Sequence, residues 1–409
     1  MSDGEKNEAS EHARSLAQSP GDIGAFLDVA VALLEIDKDA GCSALRSLSA
    51  SANTTGQVAT AVLAAILLRQ AGAEEDATSV LCEIADAHCL GSKKIDPDAK
   101  PQPLAPPASG DTNDYDSGGD PVEYGLAAVE KAAAFFSSRA PETFAPTPLI
   151  SEMEPEEFFD LAQVIRVKEF STGADVVVEG DSAEKLFWVA RGTVDISRGG
   201  TKVGTLRTGA FFGEIALVGG TVRTATVSAA SPLWVLEVDR KSVEELAQQQ
   251  QNVARTLVLY ARSRLLSTIM GTSELFKRLT EKERRQVRRK FETRVFEADE
   301  TIVKKGVETD CLYVLISGRC EVRDGASVIA TLTIGDAIGE MSLLSQGPAS
   351  ADVVATESSV MLALPRTRFD EVVLEHPQLL AEVYKLLRDR SQANNEADVV
   401  YDASDLVIS

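Results

Sequence analysis

A short segment between residues 212 and 227 combines the residue types that hold a phosphate group. It begins Phe212-Gly213-Glu214-Ile215-Ala216-Leu217 and, after a Gly-Gly-Thr turn, continues Arg223-Thr224-Ala225-Thr226-Val227. Gly213 allows a close approach of the backbone, and a short helix beginning there would direct free N–H groups at an anion. Arg223 can return to form a charge-assisted bond to a phosphate oxygen, and Glu214 is an acceptor suited to a ribose 2′-hydroxyl. Alternatively, Glu214 and Arg223 would only pair with each other across a loop.

The region of the chain that contains this segment occurs twice, and equivalent positions of the two copies are 126 residues apart. The pairs that share this offset are Phe170 and Phe296, Gly180 and Gly306, Gly192 and Gly318, Gly209 and Gly335, and Gly213-Glu214 and Gly339-Glu340. A constant offset over this span indicates two copies of one fold, aligned without a gap. Each copy contains many short stretches of strand-forming residues broken by glycine turns, which predicts a barrel or jelly roll.

With this context, the segment resembles the phosphate-binding cassette of cyclic-nucleotide-binding domains. That family includes the regulatory subunits of cAMP-dependent protein kinase, cGMP-dependent kinase and bacterial catabolite activator protein. The resemblance covers about residues 147–392. It implies that Glu214 holds the ribose and Arg223 the phosphate, within a ligand site formed by Gly213, Glu214, Ile215, Ala216, Arg223, Thr224 and Ala225.

Thr224 bears on which cyclic nucleotide would bind. Cassettes of cGMP-dependent kinases resemble Arg-Thr-Ala, whereas those of cAMP-dependent kinase resemble Arg-Ala-Ala. A threonine hydroxyl can bond the guanine amino group, but threonine also suits a half-buried loop. Both cAMP and cGMP therefore stay open, with a slight preference for cAMP because it is the commoner ligand of this fold.

The second copy departs from the pattern where the phosphate cation should be. It retains Ile338-Gly339-Glu340-Met341-Ser342-Leu343, but Ala349 stands at the position of Arg223 and Asp352 at that of Thr226. Loss of the cation forfeits about 1.5–3 kcal/mol, and a nearby carboxylate repels a phosphate. We expect no tight cyclic-nucleotide binding there, and a structural or partner-facing role instead.

Composition excludes several other classes of protein. The 409 residues carry 41 Lys+Arg against 63 Asp+Glu, a net charge of −22 that disfavours nucleic acid as a partner. Five cysteines without CxxC spacing indicate a reducing compartment, and no apolar run is long enough to span a membrane. With no signal-peptide pattern at the start, a cytoplasmic location is expected. Only three histidines are present, too few for a histidine-dependent metal site or hydrolase.

The predicted fold class is α+β, with a helical N-terminal region before two jelly-roll domains. Apolar residues recur at helical spacing up to about Leu90, and the stretch Leu63–His88 resembles one unit of a tetratricopeptide-type array. A plain helical bundle explains that pattern equally well. The predicted domains are a disordered start (1–20), a helical domain (21–91), a disordered Pro/Asp-rich linker (92–121), a connecting helix (122–146), a first cyclic-nucleotide-binding domain (147–271), a degenerate second one (272–392) and a tail (393–409).

Two further features have less specific interpretations. Residues 276–294 are strongly basic, either as a solvated face paired with the protein's own acids or as a docking surface for an acidic partner. Tyr260 follows the first copy at the point where the family often places a lid over the base, although a core position is the commoner role of such a residue.

The sequence thus predicts a receptor without catalytic activity. A cyclic nucleotide bound in the first barrel would reposition the helices of residues 240–270 and signal to the second barrel and to a protein partner, a kinase or another effector. Its alternative is a scaffold that binds no nucleotide. The expected ligand is cAMP or cGMP, with no other cofactor and no metal.

Three competing functions have weaker support. A transcription factor would need a helix-turn-helix after the barrels, and the 19 residues that follow Arg390 are too few and too acidic to form one. A kinase regulatory subunit fits the tandem architecture, but no pseudosubstrate resembling Arg-Arg-x-Ser/Ala precedes the first copy. A cupin-type metalloenzyme would need histidines on its strands, and residues 154–360 contain none.

Overall fold

The protein is described from a computed structural model. Its described residues are 3–96, 99, 120–213, 223, 225–249, 253, 255–257, 260, 276, 278–309, 311–332, 336–339, 347–377, 379, 381–382 and 384–385. The chain divides into two compact units, residues 1–218 with 222–261, and residues 219–221 with 262–409. None of the described helices is long and apolar enough to cross a membrane.

Six helices come first among the described residues of the first unit. They are α1 (Asp3–Gln18), α2 (Ile23–Ile36), α3 (Lys38–Thr54), α4 (Val58–Gln70), α5 (Glu74–His88) and α6 (Pro121–Ser137). Asp22 caps α2 and Asp37 caps α3 by accepting hydrogen bonds from backbone N–H groups of the first turn. α4 is apolar around most of its circumference and packs against α3 and α5, and every residue from Val58 to Leu68 is buried.

The prediction of a disordered start is wrong, because α1 occupies most of residues 1–20. Ala13 and Leu16 are fully buried, and α1 packs against α2 and α6. Small alanines, which favour helix strongly, supply the buried face of α1, so its low average hydropathy conceals an amphipathic helix. Of the predicted linker, residues 97–98 and 100–119 lie outside the described residues. The other domain boundaries stay predictions.

A helix and an antiparallel barrel complete the first unit. α7 (Pro155–Val164) precedes β1 (Arg166–Phe170), β2 (Asp175–Val177), β3 (Lys185–Arg191), β4 (Thr193–Arg198), β5 (Thr201–Arg207), β6 (Phe211–Phe212), β7 (Thr226–Ala229) and β8 (Leu233–Asp239), and α8 (Arg240–Gln249) follows them. The strands form two sheets, in the orders β1-β8-β3-β6 and β2-β7-β4-β5.

The second unit repeats this plan. α9 (Glu281–Arg288) precedes β9 (Glu292–Phe296), β10 (Thr301–Val303), β11 (Cys311–Ser317), β12 (Cys320–Asp324), β13 (Ser327–Leu332), β14 (Ala337–Ile338), β15 (Asp352–Ala355) and β16 (Ser359–Pro365), which α10 (Arg366–Glu375) follows. The sheet orders β14-β11-β16-β9 and β10-β15-β12-β13 match those of the first barrel strand for strand. The expected α+β class with two jelly-roll domains is confirmed.

Strand β3 belongs to two cores at once because its residues alternate between the two faces of the sheet. Phe187 and Val189 point into the barrel, whereas Trp188 and Ala190 belong to the core shared with the helices. The Thr60 hydroxyl on α4 donates a hydrogen bond to the Ala190 carbonyl at 2.7 Å, with both residues buried. The helical bundle therefore packs on the outer face of this barrel sheet, and the two share a core there that is separate from the barrel interior.

Candidate functional site

The glycine and arginine of the predicted phosphate site lie together in the first barrel. Gly213 directly follows β6 and has a φ of +79°, a left-handed conformation that favours glycine. A Cβ atom at Gly213 would lie 2.7 Å from Arg223 Nη1 and 2.7 Å from the Lys185 carbonyl oxygen. The backbone at Gly213 thus approaches the guanidinium closely only because no side chain intervenes.

Arg223 is held inside the barrel by a side-chain hydrogen bond, a contact with an aromatic ring and two backbone hydrogen bonds. Its Nη2 donates to the Lys185 carbonyl at 3.0 Å, its Cζ lies 5.6 Å from the centroid of the Phe187 ring, and only 8% of the residue is exposed. Its backbone N–H donates to the Asp181 carbonyl at 2.7 Å, and its carbonyl accepts from Gly180 N–H at 2.9 Å. A largely buried cation of this kind is suited to a negatively charged ligand.

Strand β3, which supplies the Lys185 carbonyl and the Phe187 ring, is itself packed on both faces. Lys185 Nζ pairs with Glu237 Oε1 on β8 at 2.9 Å. Phe187 stacks on Phe212 with centroids 4.9 Å apart and rings 12° from parallel. On the other face Trp188 stacks on Phe211 at 4.7 Å. β3 therefore presents its Lys185 carbonyl and Phe187 ring to Arg223 from a well-packed position.

The predicted site is only partly described. Gly213, Arg223 and the half-buried Ala225 are among the described residues, whereas Glu214, Ile215, Ala216 and Thr224 lie outside them. The carbonyl of Lys185 and the ring of Phe187 were missed as site residues in the sequence. Neither a backbone carbonyl nor a ring inside an apolar strand carries a sequence signal of its own. Only the β3–β6 register places them beside Gly213.

In the second barrel, Ala349 follows the backbone path of Arg223. Its N–H donates to the Val307 carbonyl at 3.0 Å, and its carbonyl accepts from Gly306 N–H at 2.9 Å, which are the bonds of Arg223 shifted by 126 residues. Gly339 retains a φ of +86°. Ala349 is partly buried and packs against the core of this barrel. The turn is thus preserved, while the side chain at position 349 is a methyl group and lacks the guanidinium that Arg223 carries in the first barrel.

Asp352 replaces a threonine without breaking the local hydrogen bond. Its Oδ1 accepts from the Lys305 N–H at 2.8 Å, just as the Thr226 hydroxyl accepts from the Glu179 N–H at 2.9 Å in the first barrel. The aspartate brings a carboxylate to the same place. Position 352 therefore keeps its structural role and changes its charge.

The described residues of the two other candidate features make contacts within the protein. Tyr260 is 3% exposed, belongs to the core shared with the helices, and packs edge to face on Phe211 at 5.4 Å. In the basic stretch, Arg278 forms an ion pair with Glu382, and Lys290 Nζ lies 2.7 Å from Glu371 Oε2. These contacts support a core position for Tyr260 and a basic surface paired with the protein's own acids.

The family comparison matches both barrels. The model of the cyclic nucleotide-binding domain matches residues 167–250 and 293–376, two segments with the same 126-residue offset. It does not match the helical N-terminus, so the tetratricopeptide-type interpretation is not confirmed.

Curated relatives carry both kinds of ligand in their names. The chain is 28% identical over 209 residues to a cAMP-dependent protein kinase regulatory subunit of Debaryomyces hansenii. This match covers 50% of this chain and 44% of the relative. It is 30% identical over 233 residues to a cGMP-dependent protein kinase of Toxoplasma gondii, covering 55% of this chain and 22% of the relative. The matched part is thus less than half the length of either relative.

Among solved structures, the regulatory domain of Toxoplasma gondii PKA with cAMP is 21% identical to this chain. The match covers 60% of this chain and 92% of that one, with a TM-score of 0.28.

Proposed function

Because this chain carries two cyclic nucleotide-binding domains in tandem, we propose that it is a cyclic-nucleotide receptor that uses one of them. The observation that carries this proposal is Arg223, a buried guanidinium beside the left-handed Gly213 in the first barrel. A cyclic nucleotide brings one phosphate charge, which Arg223 would neutralise through charge-assisted hydrogen bonds.

The roles of the remaining site residues follow from the sequence pattern. Glu214 would accept a hydrogen bond from the ribose hydroxyl, and Ile215, Ala216, Thr224 and Ala225 would complete the pocket. Relatives named for cAMP and for cGMP both occur, so the choice between the two nucleotides belongs to the experiment. The second barrel, with Ala349 and Asp352, would not bind either nucleotide tightly.

Binding would act through the helices that follow the first barrel. Phe211 joins β6, next to Gly213, to Tyr260 on the following helical segment through an edge-to-face ring contact. A ligand that binds one arrangement of this contact more tightly would shift the helices toward it. The receiving partner would be a protein, and relatives named as kinase regulatory subunits favour a kinase.

The test is a calorimetric titration of the whole chain with cAMP and, separately, with cGMP. We expect one site per chain, and a loss of affinity of about 100-fold or more in Arg223→Ala, because a buried phosphate would lose its cation. Lys202→Ala, an exposed cation on β5, is the matched control and should bind like the wild type. Two sites per chain would contradict the assignment of the second barrel, and binding of neither nucleotide would reject the receptor.

A further inference from the structure

An aromatic pair lies directly beside the phosphate-site arginine. The Phe187 ring, whose centroid is 5.6 Å from Arg223 Cζ, stacks on Phe212. Phe187 and Phe212 are only 3% and 5% exposed. A cation beside an aromatic ring is attracted to its π face, and the attraction is stronger where water is excluded. The pair therefore provides a surface on which the guanidinium can rest.

The same strand pair also sets the other contacts of the site. Phe187 pairs with Phe212 in the β3–β6 ladder, and Phe212 directly precedes Gly213. Lys185, whose carbonyl accepts from Arg223, lies two residues before Phe187 on β3. A shift of the Phe187 ring would thus change the contacts of both Arg223 and the turn at Gly213.

The second barrel provides an internal comparison. At the positions equivalent to Phe187, Phe212 and Arg223 it has Tyr313, Ile338 and Ala349. Its one ring at these positions, Tyr313, contacts a different cation, since Arg294 Cζ lies 5.6 Å from the ring centroid and Arg294 Nη1 donates to the tyrosine hydroxyl at 2.8 Å. The stacked pair and the arginine are present together in one barrel and replaced together in the other.

We infer that Phe187, supported by Phe212, is a positioning residue for the ligand of the first barrel. It holds the Arg223 guanidinium in place before the ligand arrives. This inference rests on the proposed function. An arginine has many rotamers, and fixing them in advance lowers the entropy lost on binding. Removal of the ring leaves the positive charge in place, so the effect should be smaller than that of Arg223→Ala.

The experiment replaces the ring and retains an apolar side chain. For Phe187→Leu we expect affinity for the nucleotide that binds the wild type to fall by about ten-fold. Phe170→Leu is the matched control, because Phe170 packs on the same barrel core and its ring faces Lys168 Nζ at 4.9 Å rather than Arg223. Its affinity should stay within about two-fold of the wild type. Thermal unfolding of both unliganded variants shows whether their stability losses are comparable.

A double-mutant cycle separates positioning from packing. In the Arg223→Lys background, Phe187→Leu should weaken binding by less than about three-fold, because the planar group that the ring orients is already gone. The same ten-fold loss in that background would show that Phe187 acts through barrel packing, and would overturn the inference.

The outcomes also distinguish the inference from the function beneath it. If the wild type binds neither nucleotide, the receptor and the inference both fail. If the wild type binds and Phe187→Leu binds as well as Phe170→Leu does, the receptor stands and the positioning role of Phe187 is wrong.

Discussion

The two barrels share a backbone plan and differ in what they place inside it. Sheet order, the left-handed glycine before the cassette, and the pair of backbone bonds around Arg223 or Ala349 are repeated with the same offset. The interior at the site is not repeated: a stacked phenylalanine pair beside a buried arginine in one barrel corresponds to Tyr313, Ile338 and Ala349 in the other. The fold is thus kept although these three side chains are replaced, because main-chain bonds and apolar burial stabilise it without the arginine.

The most demanding test of this comparison is to restore the missing cation. Ala349→Arg combined with Asp352→Thr should raise the number of nucleotide sites from one to two per chain, since the backbone at residue 349 already follows the path of Arg223. We expect the new site to be at least about ten-fold weaker than the first, because Tyr313 and Ile338 do not offer the stacked pair. The measurement is calorimetric stoichiometry.

Ala349→Leu with Asp352→Thr is the control for that experiment, since it adds bulk without charge. A stoichiometry that stays at one with the arginine in place would show that the second barrel differs from the first in more than this cation.

Acid should destabilise the first unit through His88, a buried histidine of the helical bundle. Burial lowers the pKa of His88 from 6.5 to about 4. Between these values the unfolded chain holds a proton that the folded one does not, so the unfolding free energy falls as the pH decreases through this window and levels off below pH 4. The loss amounts to about 3 kcal/mol at ~1.4 kcal/mol per pKa unit.

Tryptophan fluorescence during urea unfolding measures this effect in the first unit alone, because the chain's two tryptophans, Trp188 and Trp234, both lie in the first barrel. His88→Gln is the control, and its stability should depend less on pH across this window. An identical pH dependence in the two proteins would contradict the effect of burial on His88.

The smallest expected effect concerns the paired glycines. Gly339→Ala would place a Cβ 2.4 Å from the Cys311 carbonyl at a φ of +86° and should destabilise the second unit by about 2 kcal/mol, leaving ligand affinity unchanged. Gly213→Ala should cost the first unit a similar amount and also weaken binding, because its Cβ would lie 2.7 Å from Arg223 Nη1. Thermal unfolding and ligand titration of both variants measure the two effects, and equal losses of affinity would mean that the barrels do not act separately.

The sequence predicted a large part of this organisation because repeats and glycines are local signals. The 126-residue offset identified two copies of one fold, and the model of the cyclic nucleotide-binding domain matches both. Helix α1 was missed because alanines bury a face of the helix without raising its average hydropathy. The role of Phe187 was missed because an aromatic residue within an apolar strand is expected in any barrel core.

By itself, the sequence determined that the chain has two related barrels. It also determined that the first has Arg223 at the position where the second has Ala349. Those conclusions need only residue type and spacing along the chain. The tertiary structure decided that the helical bundle shares a core with the first barrel, through contacts such as Thr60 with Ala190. It also decided that the guanidinium of Arg223 rests between a backbone carbonyl and an aromatic ring. Both depend on residues far apart in the chain, which only sheet register and helix packing bring into contact.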